Sequence, residues 1–195
     1  MKQPRLENGI LSLNSERFIL RTLLPDDVSQ RYVDWLNDPE INRYLEVKIP
    51  QTIEAVRSYV AGHDRRTGFL FGIFDNENRH IGNISLVIDE RHDVGTIGVT
   101  IGERDYWGKN VVQEARQAVI EYAFGELELF KLSGGCKSSN VPAVYNYQRQ
   151  GWKLDGIRKA HNVDRMGKRV DIVFFCKFRS DWQAERETAG AQHEI

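Results

Sequence analysis

The spacing of hydrophobic and polar residues changes repeatedly along the chain between a period of two and a period near 3.6. Period-two spacing predicts seven strands, at residues 17–23, 68–75, 80–89, 95–102, 129–137, 152–160 and 168–178. Helical spacing predicts four helices, at residues 25–37, 52–61, 110–124 and 142–150. This order of strands and helices predicts a single α+β domain built on one mixed sheet.

Local signals indicate where several of these helices begin and end. Pro25 followed by Asp26 and Asp27 favours a helix start, because proline and acidic residues are common in the first turn. Thr52 is a favourable N-cap for the second helix. Gly125 is expected to end the third helix.

The strand "GTIGVTIG", residues 95–102, has one apolar face and one nearly bare face. Ile97, Val99 and Ile101 alternate along it with glycine and threonine. Glycines inside a strand often mark a close approach of another molecule to the backbone, but they are equally typical of a bulge or tight sheet packing. The pattern leaves both interpretations open.

The length and composition are those of one domain. A chain of 195 residues with 41% hydrophobic residues can bury one sizeable core, which we place within residues 11–182. Residues 183–195 are polar, and we expect them to form a disordered tail.

The charge balance, the length of the apolar runs and the cysteine spacing argue against a nucleic-acid partner, a membrane span and a zinc site. With 27 basic and 28 acidic residues, the chain has no overall field to attract nucleic acid or an anionic membrane. No apolar run approaches the roughly 20 residues needed to span a bilayer, and the first residues lack the apolar stretch of a signal peptide. Cys136 and Cys176 lack the spacing of zinc ligands. These features predict a cytoplasmic protein with no nucleic-acid or membrane partner and no metal.

The segment "YWGKNVVQEA", residues 106–115, joins the bare-faced strand to the third predicted helix. The first N–H groups of a helix have no partner within it, Gly108 leaves room for an anion, and Lys109 adds a positive charge. The P-loop of nucleotide hydrolases does not fit, because Glu103 takes the place of its first glycine and Asn110 that of its hydroxyl residue. The glycine spacing of dinucleotide-binding turns is also absent. The segment therefore predicts an anion-binding helix start of another kind.

A second segment, "SSNVPAVYNYQRQGW", residues 138–152, gives this turn a context. Together they resemble the GNAT superfamily of acyl-CoA-dependent N-acyltransferases, in particular the branch of ribosomal-protein N-terminal alanine acetyltransferases. The resemblance extends from about residue 17 to residue 178 and includes the basic segment before Asp171. The matching residues are Tyr106, Trp107, Gly108, Lys109, Glu114 and Ala115 in the first motif and Asn140, Ala143, Tyr147, Gly151 and Trp152 in the second.

Two positions of the first motif depart from the pattern of that superfamily. Asn110 stands where the family usually has glycine, and Val111-Val112 where it has a small residue. Asparagine is the non-glycine residue that best tolerates positive φ, and it is also a good N-cap. Val112 would either crowd a bound pyrophosphate or pack against the sheet.

The resemblance implies acetyl-CoA as the co-substrate, bound where the sheet splays between the fourth and fifth predicted strands. The residues that it implies for binding are Ile101, Trp107, Gly108, Lys109, Asn110, Val111, Val112, Asn140 and Ala143. Tyr147 would be the general acid, since a phenol with a pKa of about 10 is protonated at neutral pH and can protonate a leaving thiolate. Glu103 is our first candidate for the general base, with Asp105 and His161 as alternatives. A water relay would need no side-chain base.

The resemblance also implies that the acceptor is a primary amine. The candidate substrate-binding residues lie in the stretch that follows the first helix, although closing that helix is an equally good role for the stretch; they are Trp35, Asn42, Arg43 and Tyr44. The implied acceptors are a protein N-terminus, an amino-sugar nucleotide or a small amine. A CoA-binding module without turnover and a homodimeric assembly both stay open.

Overall fold

The computed structural model describes residues 9–193, with side chains described as far as residue 188. Within this range the strands are β1 Ser12–Asn14, β2 Ile19–Thr22, β3 Gly68–Phe74, β4 His80–Asp89, β5 Val94–Ile101, β6 Lys131–Lys137, β7 Lys153–Val163 and β8 Arg169–Phe178. The α-helices are α1 Gln30–Asn37, α2 Ile53–Ala61, α3 Val111–Glu121, α4 Val141–Arg149 and α5 Arg179–His193. None of the helices in this range is long and apolar enough to cross a bilayer.

The strands form one sheet in the order β1-β2-β3-β4-β5-β6-β8-β7. Every neighbouring pair is antiparallel except β5 and β6, which pair in parallel only from Val94–Thr96 to Lys131–Ser133 and then diverge. The predicted mixed, mostly antiparallel sheet with a splay between these two strands is therefore confirmed. Eight strands are present in the described residues rather than about seven, because β1 is only three residues long and carries too short a pattern for detection.

Both faces of the sheet are covered, and the alternation along β3 shows how. Phe69, Phe71 and Ile73 pack in the core that includes α3, whereas Leu70 packs with α1 and α2 in a second core cluster. Burying each of these large side chains contributes roughly 1.5–3 kcal/mol to stability. The site described below lies between these two packed layers.

The first predicted helix begins later than expected. Pro25–Asp27 forms a separate 3-10 turn, and α1 starts at Gln30 after the N-cap Ser29, whose hydroxyl accepts an N–H bond. The Asp27 carboxylate accepts the N–H of Leu24 at 2.8 Å and so closes the short turn on itself. The prediction of one continuous helix from Pro25 was wrong because a side-chain bond competes with continued helix formation.

The C-terminal region differs from the expected disordered tail, since α5 continues to His193. Trp182 anchors this helix: its ring lies 5.9 Å from that of Phe124, and its indole N–H donates to Glu121 at 3.0 Å. Phe124 and Gly125 lie in a π-helical turn, Tyr122–Glu126, that continues α3, so Gly125 does not end that helix. The composition predicted a disordered tail because this helix is polar apart from its one aromatic anchor. Residues 194 and 195 lie outside the described part of the chain.

Candidate active site

A groove of about 1110 Å³ opens where β5 and β6 diverge. One end is lined by the start of α3 and by α4, and the other end by the segment after α1 and by α2. Gly98 and Thr100, on the bare face of β5, line it as well. The predicted site residues that line the groove are Ile101, Trp107, Gly108, Asn110, Val111, Val112, Asn140, Ala143, Tyr147, Arg43 and Tyr44.

The turn before α3 leaves the first N–H groups of the helix open. Gly108 has a φ of 74° and Asn110 a φ of 62°. Asn110 therefore adopts the positive φ that asparagine tolerates. Asn110 does not cap the helix with its side chain, contrary to expectation; its Oδ1 instead accepts a bond from Arg149 at 2.9 Å. The N–H groups of Val111 and Val112 therefore have no acceptor in the described part of the chain. Such an exposed helix start, with an arginine beside it, fits an anion.

Glu114 anchors this turn to the start of β2. Its carboxylate accepts bonds from the hydroxyl of Ser15 at 2.8 Å and from the backbone N–H and Nε of Arg17 at 2.6 and 2.8 Å. Arg17 also donates to the carbonyl of Lys109 at 2.8 Å. Burial raises the pKa of Glu114, but the bonds from Arg17 and Ser15 outweigh it and hold this pKa below its ordinary value. The carboxylate is thus a structural clamp for the turn.

Trp107 and Lys109 border the turn in different ways. The indole N–H of Trp107 donates to the carbonyl of Ile101 at 3.0 Å, which ties the turn to the end of β5. Lys109 does not line the groove; its ammonium lies 5.6 Å from the ring centroid of Tyr106. Lys109 is close to the start of α3 in sequence, but its ammonium lies against the Tyr106 ring rather than in the groove.

Tyr147 on α4 is buried and faces the groove. Its ring stacks on Phe175 with centroids 4.7 Å apart and meets Trp152 edge-on at 5.1 Å. A Cβ on Gly134 would lie 2.3 Å from the phenol oxygen, so only glycine leaves room for the hydroxyl there. Burial raises the pKa of Tyr147, which keeps the phenol protonated.

Asn140 begins α4. Its Oδ1 accepts the N–H of Ala143 at 3.3 Å and so caps the helix. Its amide nitrogen has no partner within residues 9–193, and Asn140 lines the groove. A free amide donor on the groove wall fits a carbonyl-bearing arm.

The candidate base Glu103 lies outside the groove lining, and this part of the prediction finds no support in the geometry. Its carboxylate accepts the indole N–H of Trp35 at 3.1 Å, is bonded by Arg79, and lies 3.9 Å from Nε of Arg31. A carboxylate that already holds these donors is poorly suited to accept a proton from an amine. The alternatives Asp105 and His161 are solvent-exposed, and neither lines the groove.

The four predicted acceptor residues divide into two pairs. Trp35 packs against His80 with ring centroids 5.0 Å apart, and Asn42 is fully buried and donates to the carbonyl of Leu36 at 2.6 Å. These two close α1 and do not reach the groove, so their predicted role in substrate binding is not supported. Arg43 and Tyr44 do line the groove.

The family model of the acetyltransferase (GNAT) domain matches residues 17–153. The chain belongs to this family. The GNAT resemblance noted from the two motifs is confirmed, and the chain is an acyltransferase of the N-acetyltransferase class.

Individual GNAT proteins match over nearly their whole length. The chain is 23% identical over 181 residues to the uncharacterized N-acetyltransferase p20 of Bacillus licheniformis, covering 88% of this chain and 98% of that protein. The structure of ribosomal-protein-S5-alanine acetyltransferase from Vibrio fischeri gives a TM-score of 0.76 at 20% identity, covering 88% of this chain and 98% of that one. Spermidine N-acetyltransferase from Vibrio cholerae, solved with CoA and spermine, gives a TM-score of 0.76 at 19% identity, covering 84% and 96%.

The GNAT groove also contains residues that sequence reasoning missed. Arg149 and Arg116 both line it. Arg149 lies within residues 138–152 but is not one of the matching residues, and Arg116 directly follows the first segment. Arg116 had a detectable signal, since it follows Val112 by four residues and so lies on the same helix face. Within residues 9–193, no group of three or more His, Cys, Asp or Glu side chains is placed to hold a metal ion.

Proposed function

We propose that this GNAT enzyme transfers the acetyl group of acetyl-CoA to the α-amino group of a protein N-terminus, by direct attack in a ternary complex. One observation carries the proposal: the open start of α3, the diverging strands β5 and β6, and the phenol of Tyr147 all border a single groove. The anion site can bind the diphosphate of CoA, and the extended cleft can hold its pantetheine arm. The buried phenol can protonate the leaving thiolate. One cavity contains all three.

The binding roles follow from the free donors along the groove. The diphosphate would lie on the N–H groups at the start of α3, close to the guanidinium of Arg149. The amide of Asn140 would donate to the pantetheine arm. Beyond Thr96, where β5 has lost its parallel partner, backbone groups of that strand are available to the arm and to the thioester oxygen.

The proton-transfer roles follow from what the groove contains and lacks. Tyr147 would donate its proton to the departing thiolate, because burial keeps the phenol protonated. The carboxylates that line the groove within residues 9–193 are Glu40 and Glu46, and each is paired with a cation, Arg104 at 2.5 Å and Lys137 at 2.9 Å. We therefore assign deprotonation of the amine to solvent water rather than to a side-chain base.

The same ion pairs favour an acceptor with a single amine over a polycation. Binding a polyamine requires carboxylates that are free to pair with several ammonium groups, whereas Glu40 and Glu46 already hold cations. The aromatic and aliphatic lining contributed by Tyr44, Ile41 and Leu36 suits the first side chains of a peptide.

Tyr147→Phe tests the proposed function. We expect acetyl-CoA to bind the variant as it binds the wild type in calorimetry, while kcat falls by about 100-fold or more, since a general acid contributes roughly 10²–10⁴. Tyr122→Phe is the matched control, because it removes the hydroxyl of another buried tyrosine, one with no hydrogen-bond partner among the described residues. A wild-type protein that binds acetyl-CoA but acetylates no amine would instead be a binding module, and one that does not bind acetyl-CoA would contradict the proposal altogether.

The pH dependence identifies the acceptor. If water takes the proton, kcat/KM should rise with pH until the acceptor amine itself is neutral. This limb lies near pH 8 for an α-amino group and above about pH 10 for a lysine-like amine. The measurement compares N-terminal peptides, spermine and amino-sugar nucleotides by release of free CoA. Faster turnover of spermine or of a sugar nucleotide than of every peptide would refute the assignment to a protein N-terminus.

A further inference from the structure

Arg116 is a buried cation whose charge is not balanced by a carboxylate. Arg116 is 2% exposed, and it forms no ion pair with the residues that the structure describes. One nitrogen, Nη1, donates to Oε1 of Gln150 at 2.9 Å, while Nε is buried without a partner. A buried guanidinium with an unused donor is rare in a packed core, because desolvation of the charge costs several kcal/mol.

The charge lies against the ring of Tyr147. The Cζ atom of Arg116 is 4.0 Å from the centroid of that ring and 5.6 Å from that of Trp152. Gln150 is itself fixed, since its amide donates to the carbonyl of Gln113 at 2.8 Å and thereby presents its oxygen to Arg116. The guanidinium is thus held in place at the groove rather than free to leave it.

Among the described residues, the other cations near Tyr147 are bonded elsewhere or paired. Arg149, two residues further along α4, donates to Oδ1 of Asn110 at 2.9 Å, at the start of α3. Cys136 on β6 lines the same part of the groove, and burial raises the pKa of its thiol, so it stays neutral. On β8 the neighbour is the uncharged Phe175. Lys177 contacts the carbonyl of Gln150 at 3.3 Å but is paired with Glu185 at 2.6 Å. Arg116 is therefore the cation that lies directly on the ring of Tyr147 in the described residues.

We propose that Arg116 is a positioning residue that holds a fixed positive charge on Tyr147 and so stabilises the phenolate left when this tyrosine acts as general acid. The inference rests on the proposed function. In that step the O–H bond of Tyr147 breaks, an S–H bond forms on the CoA thiolate, and the phenolate later recovers a proton from water. A cation that is already desolvated beside the ring stabilises the developing negative charge without reorganisation.

The first test is the pH–rate profile of Arg116→Gln, which keeps a polar side chain at this position and loses the charge. Arg116 lowers the pKa of Tyr147 against the raising effect of burial, so its removal raises that pKa. Because a general acid works only while protonated, the alkaline limb of kcat should move to higher pH. We expect kcat to fall about tenfold, equivalent to about 1.4 kcal/mol, with little change in the KM for acetyl-CoA. Arg116→Lys should keep the wild-type limb and most of the kcat.

The second test needs no catalysis. Ionisation of Tyr147 is followed by ultraviolet absorbance, as the difference between each protein and its Tyr147→Phe counterpart. We expect this titration to lie at higher pH in Arg116→Gln than in the wild type. Lys177→Met is the matched control, because it removes a neighbouring buried cation that is paired, and it should leave the Tyr147 titration in place.

The outcomes separate this inference from the proposed function. Equal Tyr147 titrations in the wild type and Arg116→Gln overturn the role of Arg116 even if acetyl transfer is observed. A shifted titration without acetyl transfer overturns the proposed function and, with it, the catalytic use of the charge. Should Arg116→Gln not fold, Arg116→Met replaces it. Should neither fold, loss of kcat in Arg116→Lys with an unchanged titration and unchanged melting temperature overturns the inference.

Discussion

At the scale of single residues, Asn110 shows how a departure from a family pattern is accommodated. It adopts a φ of 62°, where a residue with a Cβ is strained unless its side chain is asparagine-like. Asn110→Ala should therefore be less stable than Asn110→Gly by about 1 kcal/mol. Both variants lose the bond to Arg149, so their difference in urea unfolding isolates the backbone effect. Equal stability of the two variants would show that the left-handed conformation carries no strain here.

Val112 faces the groove rather than the core. Val111 is buried in the main hydrophobic cluster, whereas Val112 is half-buried and does not belong to that cluster. Val112→Ala should let a diphosphate approach the open N–H groups more closely and lower the Kd for acetyl-CoA about threefold, or roughly 0.7 kcal/mol. Calorimetric titration measures this directly.

Val119→Ala is the matched control for that experiment, because this valine of α3 is buried in the main hydrophobic cluster and does not line the groove. It removes a buried side chain of the same kind and should lower the free energy of unfolding by about 2 kcal/mol without tightening acetyl-CoA binding. An unchanged Kd in Val112→Ala would mean that this valine does not crowd the site. The sequence left two roles open for Val112. Its position on the groove favours crowding of a bound pyrophosphate over packing against the sheet.

The sequence allowed some of these residues to be predicted and not others, for physical reasons. Gly108, Asn110 and Asn140 belong to turns, where conformation depends on a few neighbouring residues and can be inferred locally. The position of Glu103 at the end of a strand predicts a catalytic role, but its partners come from remote parts of the chain. Trp35 and Arg79 donate to its carboxylate, and Arg31 lies 3.9 Å away. Arg116 lies in the middle of a helix, where a charged residue usually indicates an exposed face.

At the scale of elements, α5 has one buried aromatic anchor. Trp182 is nearly buried against Phe124 and donates to Glu121, while the rest of the helix is polar. Trp182→Ala should lower the free energy of unfolding by about 3 kcal/mol, at the lower end for loss of a large aromatic side chain. Gln183→Ala, an exposed neighbour, should change it by less than about 0.5 kcal/mol. Equal stability of both variants in urea unfolding would fit the disordered tail expected from composition.

Elements were predictable where their own pattern was long. Helices α2 and α4 and the central strands β3, β4 and β5 have extended periodic spacing, and their positions follow from it. The element β1 is too short for a period, and α1 starts late because Asp27 closes a turn on Leu24. The helix α5 carries little apolar periodicity. The misses at β1 and α5 depend on pairing or packing with other parts of the chain, whereas the late start of α1 depends on the local bond between Asp27 and Leu24.

At the scale of the whole molecule, the splay of the sheet creates the site. Parallel pairing between β5 and β6 stops after Thr96 and Ser133, and the groove occupies the gap. Hydrophobic patterning predicts the mixed sheet but not where two strands separate, because separation depends on side chains that fill both neighbouring layers. The position of the splay came from the resemblance of two motifs to the GNAT superfamily.

The contact between Gly102 and Trp35 joins the two layers at the end of β5. A Cβ on Gly102 would lie 2.0 Å from the indole of Trp35, which also donates to Glu103. Helix α1 leads into the segment that lines one end of the groove, and β5 leads into the turn before α3. Because Gly102 and Trp35 are in contact, these two parts of the chain cannot change independently at this point. Under the proposed function, we expect changes of acceptor preference at positions such as Arg43 and Tyr44, which line the groove without taking part in this contact. A library that varies those two positions should retain folded members far more often than one that includes Trp35 or Gly102.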